Sequence, residues 1–300
     1  MIFFVILTVL LVSAYLLNII VLPKKPLTFE AEKSYYVIQN QYGQILMETG
    51  IEIHVADEFI DENDNHYIIT TVKDKIASAT LKTSSLEIKD DSIATAALFA
   101  PEQVLRPGLS TKHVGIYHTH NDESYVLTSG TSAIPGNGDI MKVGEALKDC
   151  LSKSSILVIH SLNDHGPHDI NAYHRSRRTA VALIKKSPDM LLDLHRDAAP
   201  ASAYSTSING IEVAKVMIVV GRTNPKMQTN LEYAKKVKAA ADELHPGLMR
   251  GIFIGKGDYN QDLYPTALIF EVGTDSISLS MAKKGVRCLG DALIQVLQNS

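Results

Sequence analysis

From about residue 112 onward, apolar runs of strand length alternate with longer segments of helical period. The strand candidates are HVGIYH, SILVIHS, DMLLDLHRD, AKVMIVVG, GIFIGK and TALIFEVG. Between and after them lie GDIMKVGEALKDCL, INAYHRSRRTAVALIKK, NPKMQTNLEYAKKVKAAADEL and a last stretch from Ile277 to Leu297. A strand that reads as a continuous apolar run, without alternation, is covered on both faces. The pattern predicts a three-layer α/β/α sandwich with a mostly parallel sheet. Asn224 and Pro225 mark the expected N-cap and first turn of the third helix.

The earlier part of the chain reads differently. Residues 35 to about 90 alternate short β-prone runs with turn signals at Gly43, Gly50 and Asn63, which predicts a small β-rich module. Its acidic stretch, Asp57 to Asn65, has the composition of a calcium loop, but a solvated turn is the expected reading. Residues 90–110, with Pro101, Pro107 and Gly108, form a connector. Met1 to Leu22 carry no charged side chain, and Lys24 and Lys25 follow at once. At about 1.5 Å per helical residue, such a run crosses a hydrocarbon core of roughly 30 Å. It lacks the basic start of a cleaved signal and is read as an uncleaved single-pass membrane anchor. The expected division is therefore an anchor at 1–23, a β module at 24–100 and an α/β domain at 101–300. Taken alone, the two lysines would put that domain in the cytoplasm.

Composition narrows the chemistry. A formal net charge of −4 without a polybasic stretch gives no nucleic-acid signature. Cys150 and Cys288 are the two cysteines, and neither belongs to a CxxC pair, which excludes a cysteine-based zinc site or a disulfide framework. Eleven histidines remain, several of them between His113 and His195.

In an open α/β sheet, ligands gather at the C-terminal ends of strands. Three polar clusters fall there. HTHNDESY follows the first strand, His195 with Arg196 and Asp197 ends DLHRD, and Glu271 lies near the end of ALIFEVG. Hydrolytic zinc sites commonly use two histidines and a carboxylate and leave one position for water. His120 and Glu123, three residues apart on a turn, with His195 from another strand end, supply that set. Glu271 is then the general base, and Arg196 a donor for the oxyanion of the tetrahedral intermediate. Asp193 shares a strand face with His195 and is placed to orient its ring. His118 stands as an outer or alternate ligand. A rival reading takes His118, His120 and Asp122 as the opening of a two-metal hydrolase site, although Glu123 stands where that motif has another histidine. On the helix start YHRSRR, His174, Arg175 and Arg178 fit either an anionic-substrate grip or a solvated face. Asn260 and Gln261, in a polar loop between two strands, are candidate substrate contacts.

The chain resembles the stage II sporulation protein P family of endospore-forming bacteria over nearly its whole length. The resemblance rests on YYVIQNQYGQILMETG, DEFIDENDNHYIITTV, GIYHTHNDESY, LLDLHRDA, GDYNQDLYPTALIFEVG and the N-terminal apolar run. It implies a membrane-anchored, zinc-dependent N-acetylmuramoyl-L-alanine amidase with associated endopeptidase activity. Such a protein hydrolyses peptidoglycan in the septal wall during engulfment, alongside sporulation proteins D and M of the same stage. The resemblance implies His120, Glu123 and His195 as zinc ligands, with His118 as the alternate to His120, and Glu271 as the catalytic acid/base. It also implies a catalytic domain outside the membrane, towards the wall. Family members usually carry a basic segment ahead of the anchor, whereas here the apolar run begins at Met1. A non-catalytic wall-binding module is the competing class.

Overall fold

The computed structural model describes residues 35–82, 111–169 and 171–299. The expected anchor and most of the expected connector lie outside them. No helix among the described residues is long and apolar enough to cross a membrane.

Residues Ser34–Ser300 form one compact unit. Its early strands are β1 (Tyr36–Asn40), β2 (Ile45–Thr49), β3 (Glu58–Asp61), β4 (His66–Lys73) and β5 (Ile76–Leu81). The later ones are β6 (His113–Tyr117), β7 (Leu157–His160), β8 (Met190–Asp197), β11 (Val216–Gly221), β12 (Met249–Gly255) and β13 (Ala267–Thr274). A separate hairpin pairs β9 (Ser205–Ile208) with β10 (Ile211–Ala214). The other eleven strands make one sheet in the order β2-β1-β5-β4-β3-β12-β11-β13-β8-β6-β7. Among the six later strands, four of the five pairings are parallel, and β11 against β13 is antiparallel.

Side-chain alternation sorts the later strands into two faces. On one, Ile116, Leu192, Leu194, Ile218 and Phe270 share a core with three helices, α2 (Ile140–Lys153), α4 (Met227–Leu244) and α5 (Leu279–Gln298). On the other, Ala180 and Leu183 of α3 (Ala172–Ile184) pack on Tyr117, Leu191 and Ala267. A short α1 (Val126–Ser129) follows the turn after β6. The third long helix begins at Met227 with Lys226 as its cap, not at Asn224. Asn224 Oδ1 instead accepts from Lys226 N at 2.7 Å, turning the chain just before the helix.

The second face departs from the expected sandwich, because one helix covers only part of it. Gly50 N donates to Asp197 Oδ1 at 2.7 Å. Strands β2 and β8 stand eight steps apart in the sheet. In a flat sheet with about 4.8 Å per step, that is roughly 38 Å. The sheet therefore rolls. Ile38, Met47, Phe59 and Ile69 of the early strands close over Met217, Val219, Phe253 and Ile269 as a second core. Arg250 of β12 reaches across to the Glu48 carbonyl. Gly50 can meet the end of β8 only because it lacks a side chain, since a Cβ there would stand 2.7 Å from Ala198 Cβ. The strands expected as a small module thus continue the main sheet through β3 and β12 and bring the segment after β2 against the end of β8.

Candidate metal centre

Because β6, β8 and β13 are parallel, their C-terminal ends share one edge of the sheet. Asp193 and His195 alternate onto the face of Leu191, the one α3 covers. His195 is paired in register with Glu271, and Asp193 with Tyr117. After β6 the chain turns at once, Glu123 N donating to His120 O at 3.3 Å. That turn folds His120 and Glu123 back beside His195.

Glu123 Oε1 lies 3.4 Å from His120 Nδ1 and 3.5 Å from His195 Nδ1. One donor atom from each of the three residues lies within 4.8 Å of the others. Two ligands about 2.0–2.1 Å from a tetrahedral ion stand about 3.4 Å apart. The observed spacings match that geometry, and two imidazoles with a carboxylate are a zinc-type donor set. The residues present fit the ion.

Around this set, each group has a restraint. His195 Nε2 lies 3.0 Å from Asp193 Oδ1. Asp193 also accepts from Thr119 N at 2.8 Å and Thr119 Oγ1 at 2.6 Å, which ties the β6 turn to β8. A carboxylate placed in this way fixes the ring of a metal-bound histidine. Glu123 Oε2 accepts from Arg196 N at 2.8 Å. Burial alone would raise the Glu123 carboxyl, but His195, His120 and Arg196 outweigh it and hold it well below its ordinary value. Burial likewise works against charge on His195, yet Asp193 and Glu123 hold that ring well above its usual value. Glu271 is the opposite case. It is buried, and its Oε2 has no hydrogen-bond partner among the described residues. Burial pushes its carboxyl well above the usual range, with Asp197 and Glu123 adding to it against the pull of His195 and Arg196. A raised, unpartnered carboxyl beside a donor set has the character of a proton-transfer group.

Other expectations need correction. His118 stands apart from the His120, Glu123 and His195 set. It leaves the strand on the α2 side, where Nδ1 bonds Leu194 O at 2.9 Å and Nε2 meets His160 Nε2 at 2.8 Å. Asp122 turns away to His168, 3.0 Å distant, so His118, His120 and Asp122 do not assemble a two-metal set. The Arg196 guanidinium is held by the carbonyls of Ser124, Ser132 and Asp197, so it braces the HTHNDESY loop. Asn260 and Gln261 are buried and satisfied by protein. Asn260 bonds Tyr173 O, Ser176 and Arg177, and Gln261 bonds Gly221 N and Val219 O, so both amides are engaged by the protein itself. Arg175 grips His165 O and Asp169, while His174 and Arg178 are exposed. In the acidic stretch, Asp61 accepts from Asn63 N and Asn65 N, and Asp57 pairs with Arg222 at 3.1 Å, so these carboxylates serve the turn and the core.

The family model described as stage II sporulation protein P (SpoIIP) matches residues 28–294. The chain belongs to the stage II sporulation protein P family. It is 26% identical over 204 residues to stage II sporulation protein P of Bacillus subtilis (strain 168), covering 62% of this chain and 51% of that protein. The chain thus spans about half the length of this curated relative. Among solved structures it is similar to the CwlD amidase of Clostridioides difficile in complex with the GerS lipoprotein, with a TM-score of 0.45, 13% identity, and coverage of 63% of this chain and 100% of that one. It is also similar to the N-acetylmuramyl-L-alanine amidase Ami1 of Mycobacterium smegmatis, with a TM-score of 0.44, 11% identity, and coverage of 63% of this chain and 98% of that one.

In this SpoIIP-family chain, sequence reasoning missed Thr119, His160, His168 and Tyr173, all of which border the centre or its supports. A signal for His168 existed. NDHGPHD, Asn163 to Asp169, carries two histidines just past the end of a parallel strand, the same position that drew attention to HTHNDESY.

Proposed function

We propose that this member of the SpoIIP family is a zinc-dependent peptidoglycan hydrolase that cleaves the amide between N-acetylmuramic acid and the L-alanine of the stem peptide. The observation that carries the reading is the convergence of His120, Glu123 and His195 beside the unpartnered Oε2 of Glu271. When bound, zinc supplies Lewis acidity and brings the pKa of water to about 7. Glu271 Oε2 accepts the proton lost by the attacking water and returns it to the leaving amine nitrogen as the C–N bond breaks and a C–O bond replaces it. Asp193 holds the His195 ring, and the Arg196 N–H holds Glu123.

The same reading places the activity in septal wall remodelling during engulfment, with endopeptidase activity alongside. It takes residues 1–23 as a single-pass anchor in the cell membrane and puts the catalytic part on the wall side. Sporulation proteins D and M of stage II are its partners. Membership of the SpoIIP family supports these points.

The test is hydrolysis of isolated sacculi by zinc-loaded protein, followed by mass spectrometry of the products. Stem peptides with free L-alanine amino termini are expected. Glu271→Gln should lower the rate by about 10²–10⁴-fold while zinc is retained. A zinc-loaded wild type that leaves sacculi intact would support a wall-binding module in place of an enzyme.

A further inference from the structure

The two histidines at the centre are oriented by different means. A metal-bound imidazole usually gives its other N–H to a carboxylate or a backbone carbonyl. His195 has the Asp193 carboxylate 3.0 Å from Nε2 as an ion-pair partner. His120 reaches Glu123 through Nδ1, and its Nε2 makes no hydrogen bond to any described residue. Rings hold it instead. His168 stacks on it with centroids 3.9 Å apart and planes 18° off parallel. His195 and Tyr173 stand edge-on to it at 5.0 Å and 5.7 Å. His168 is itself fixed, its Nδ1 lying 3.0 Å from Asp122 Oδ1, two residues beyond His120 on the same turn.

We infer that Asp122 and His168 form a positioning pair that locks the ring of His120 for metal binding. The inference rests on the metal reading above. The loop carrying His168 is built for the task, since it is fastened on both sides. His165 N donates to Asn121 Oδ1 at 2.9 Å, and His165 Nδ1 meets His118 O at 2.7 Å. From α3, Arg175 Nε donates to His165 O at 2.6 Å, and the Arg175 guanidinium pairs with Asp169 at 2.7 Å. Two loops, one after β6 and one after β7, are thus cross-linked so that their imidazoles meet face to face. With nothing bonded to Nε2 among the described residues, the flat face of His168 adds the closest ring contact against a turn about χ2 that would carry Nδ1 away from Glu123. The role needs the flat face of His168, and Asp122 steadies that face through Nδ1.

The test compares wild type, His168→Ala, His168→Phe and Asp122→Ala for Zn²⁺ affinity, by competition with a chromophoric chelator, and for the absorption spectrum of bound Co²⁺. Loss of an outer-shell partner of a metal ligand weakens binding by about 10–100-fold. His168→Ala should fall in that range and change the cobalt bands, whereas His168→Phe, which keeps a stacking ring, should stay within a few-fold of wild type. Asp122→Ala, which likewise keeps a ring and loses its anchor, should match His168→Phe. Wild-type affinity and spectrum in His168→Ala would overturn the inference, as would a His168→Phe protein as weak as His168→Ala. A wild-type protein that binds no Zn²⁺ would overturn the metal reading itself, which separates the two failures.

Discussion

His118 and His120 leave the same turn in opposite directions, and each meets another histidine. His118 goes under α2, where it is buried and meets His160 edge-on, its ring nitrogens engaged by Leu194 O and His160 Nε2. Burial, reinforced by His160, lowers its pKa to about 3. His120 goes towards α3 and lies against the half-exposed ring of His168, with Nδ1 aimed at a carboxylate shared with His195. The residue type is the same and the positions are two apart. What separates a structural histidine from a candidate ligand is whether its nitrogens are already satisfied.

That contrast can be broken by mutation. His120→Ala should bring bound zinc from about one per chain to near zero and abolish wall hydrolysis, while His118→Ala keeps about one zinc, as metal analysis of the purified proteins would show. A smaller loss is expected at the support of the other ligand. Asp193→Asn should weaken zinc by about 10–100-fold in chelator competition, because the ring of His195 loses its charged restraint.

The structural side of the comparison gives effects in stability rather than function. Gly144 of α2 faces the His118–His160 pair, and a Cβ there would stand 2.7 Å from His118 Nε2 and 2.6 Å from His160 Nε2. Gly144→Ala should therefore destabilise the fold by about 1–3 kcal/mol in urea unfolding, the usual range for overpacking, with zinc binding kept.

The last expected effect is on pH dependence. Unfolded His118 titrates near its ordinary value of about 6.5, while in the fold its pKa is lowered to about 3. Between those limits the unfolded chain binds the proton and the folded chain does not. Stability therefore falls as pH drops through that window, by up to about 1.4 kcal/mol per pH unit. His118→Asn should flatten this part of the stability curve relative to wild type. An unchanged slope would mean that the buried ring carries its proton.

How much was legible in the sequence follows the same division between pattern and pairing. The later strands and helices could be read because continuous apolar runs and helical periods are local signals. The roll of the sheet could not, since it depends on β3 pairing with β12 and on Gly50 reaching Asp197, contacts between distant segments with no local pattern. At the centre, His120, Glu123, His195 and Glu271 could be picked out because each charged or polar group follows an apolar run that should be buried. The place of His118 apart from that set depends on His160. The bracing role of Arg196 depends on carbonyls of Ser124 and Ser132 that its position in DLHRD does not reveal. Asn260 and Gln261 are a related case. A polar loop looks available until its amides prove to be bonded to Tyr173, Val219 and Gly221.

The most direct measurement is a crystal structure of the zinc-loaded protein with anomalous data at the zinc edge. A single peak is expected about 2.0–2.2 Å from His120 Nδ1, His195 Nδ1 and a Glu123 oxygen. A peak held by His118 or Asp122, or none near Glu123, would contradict it.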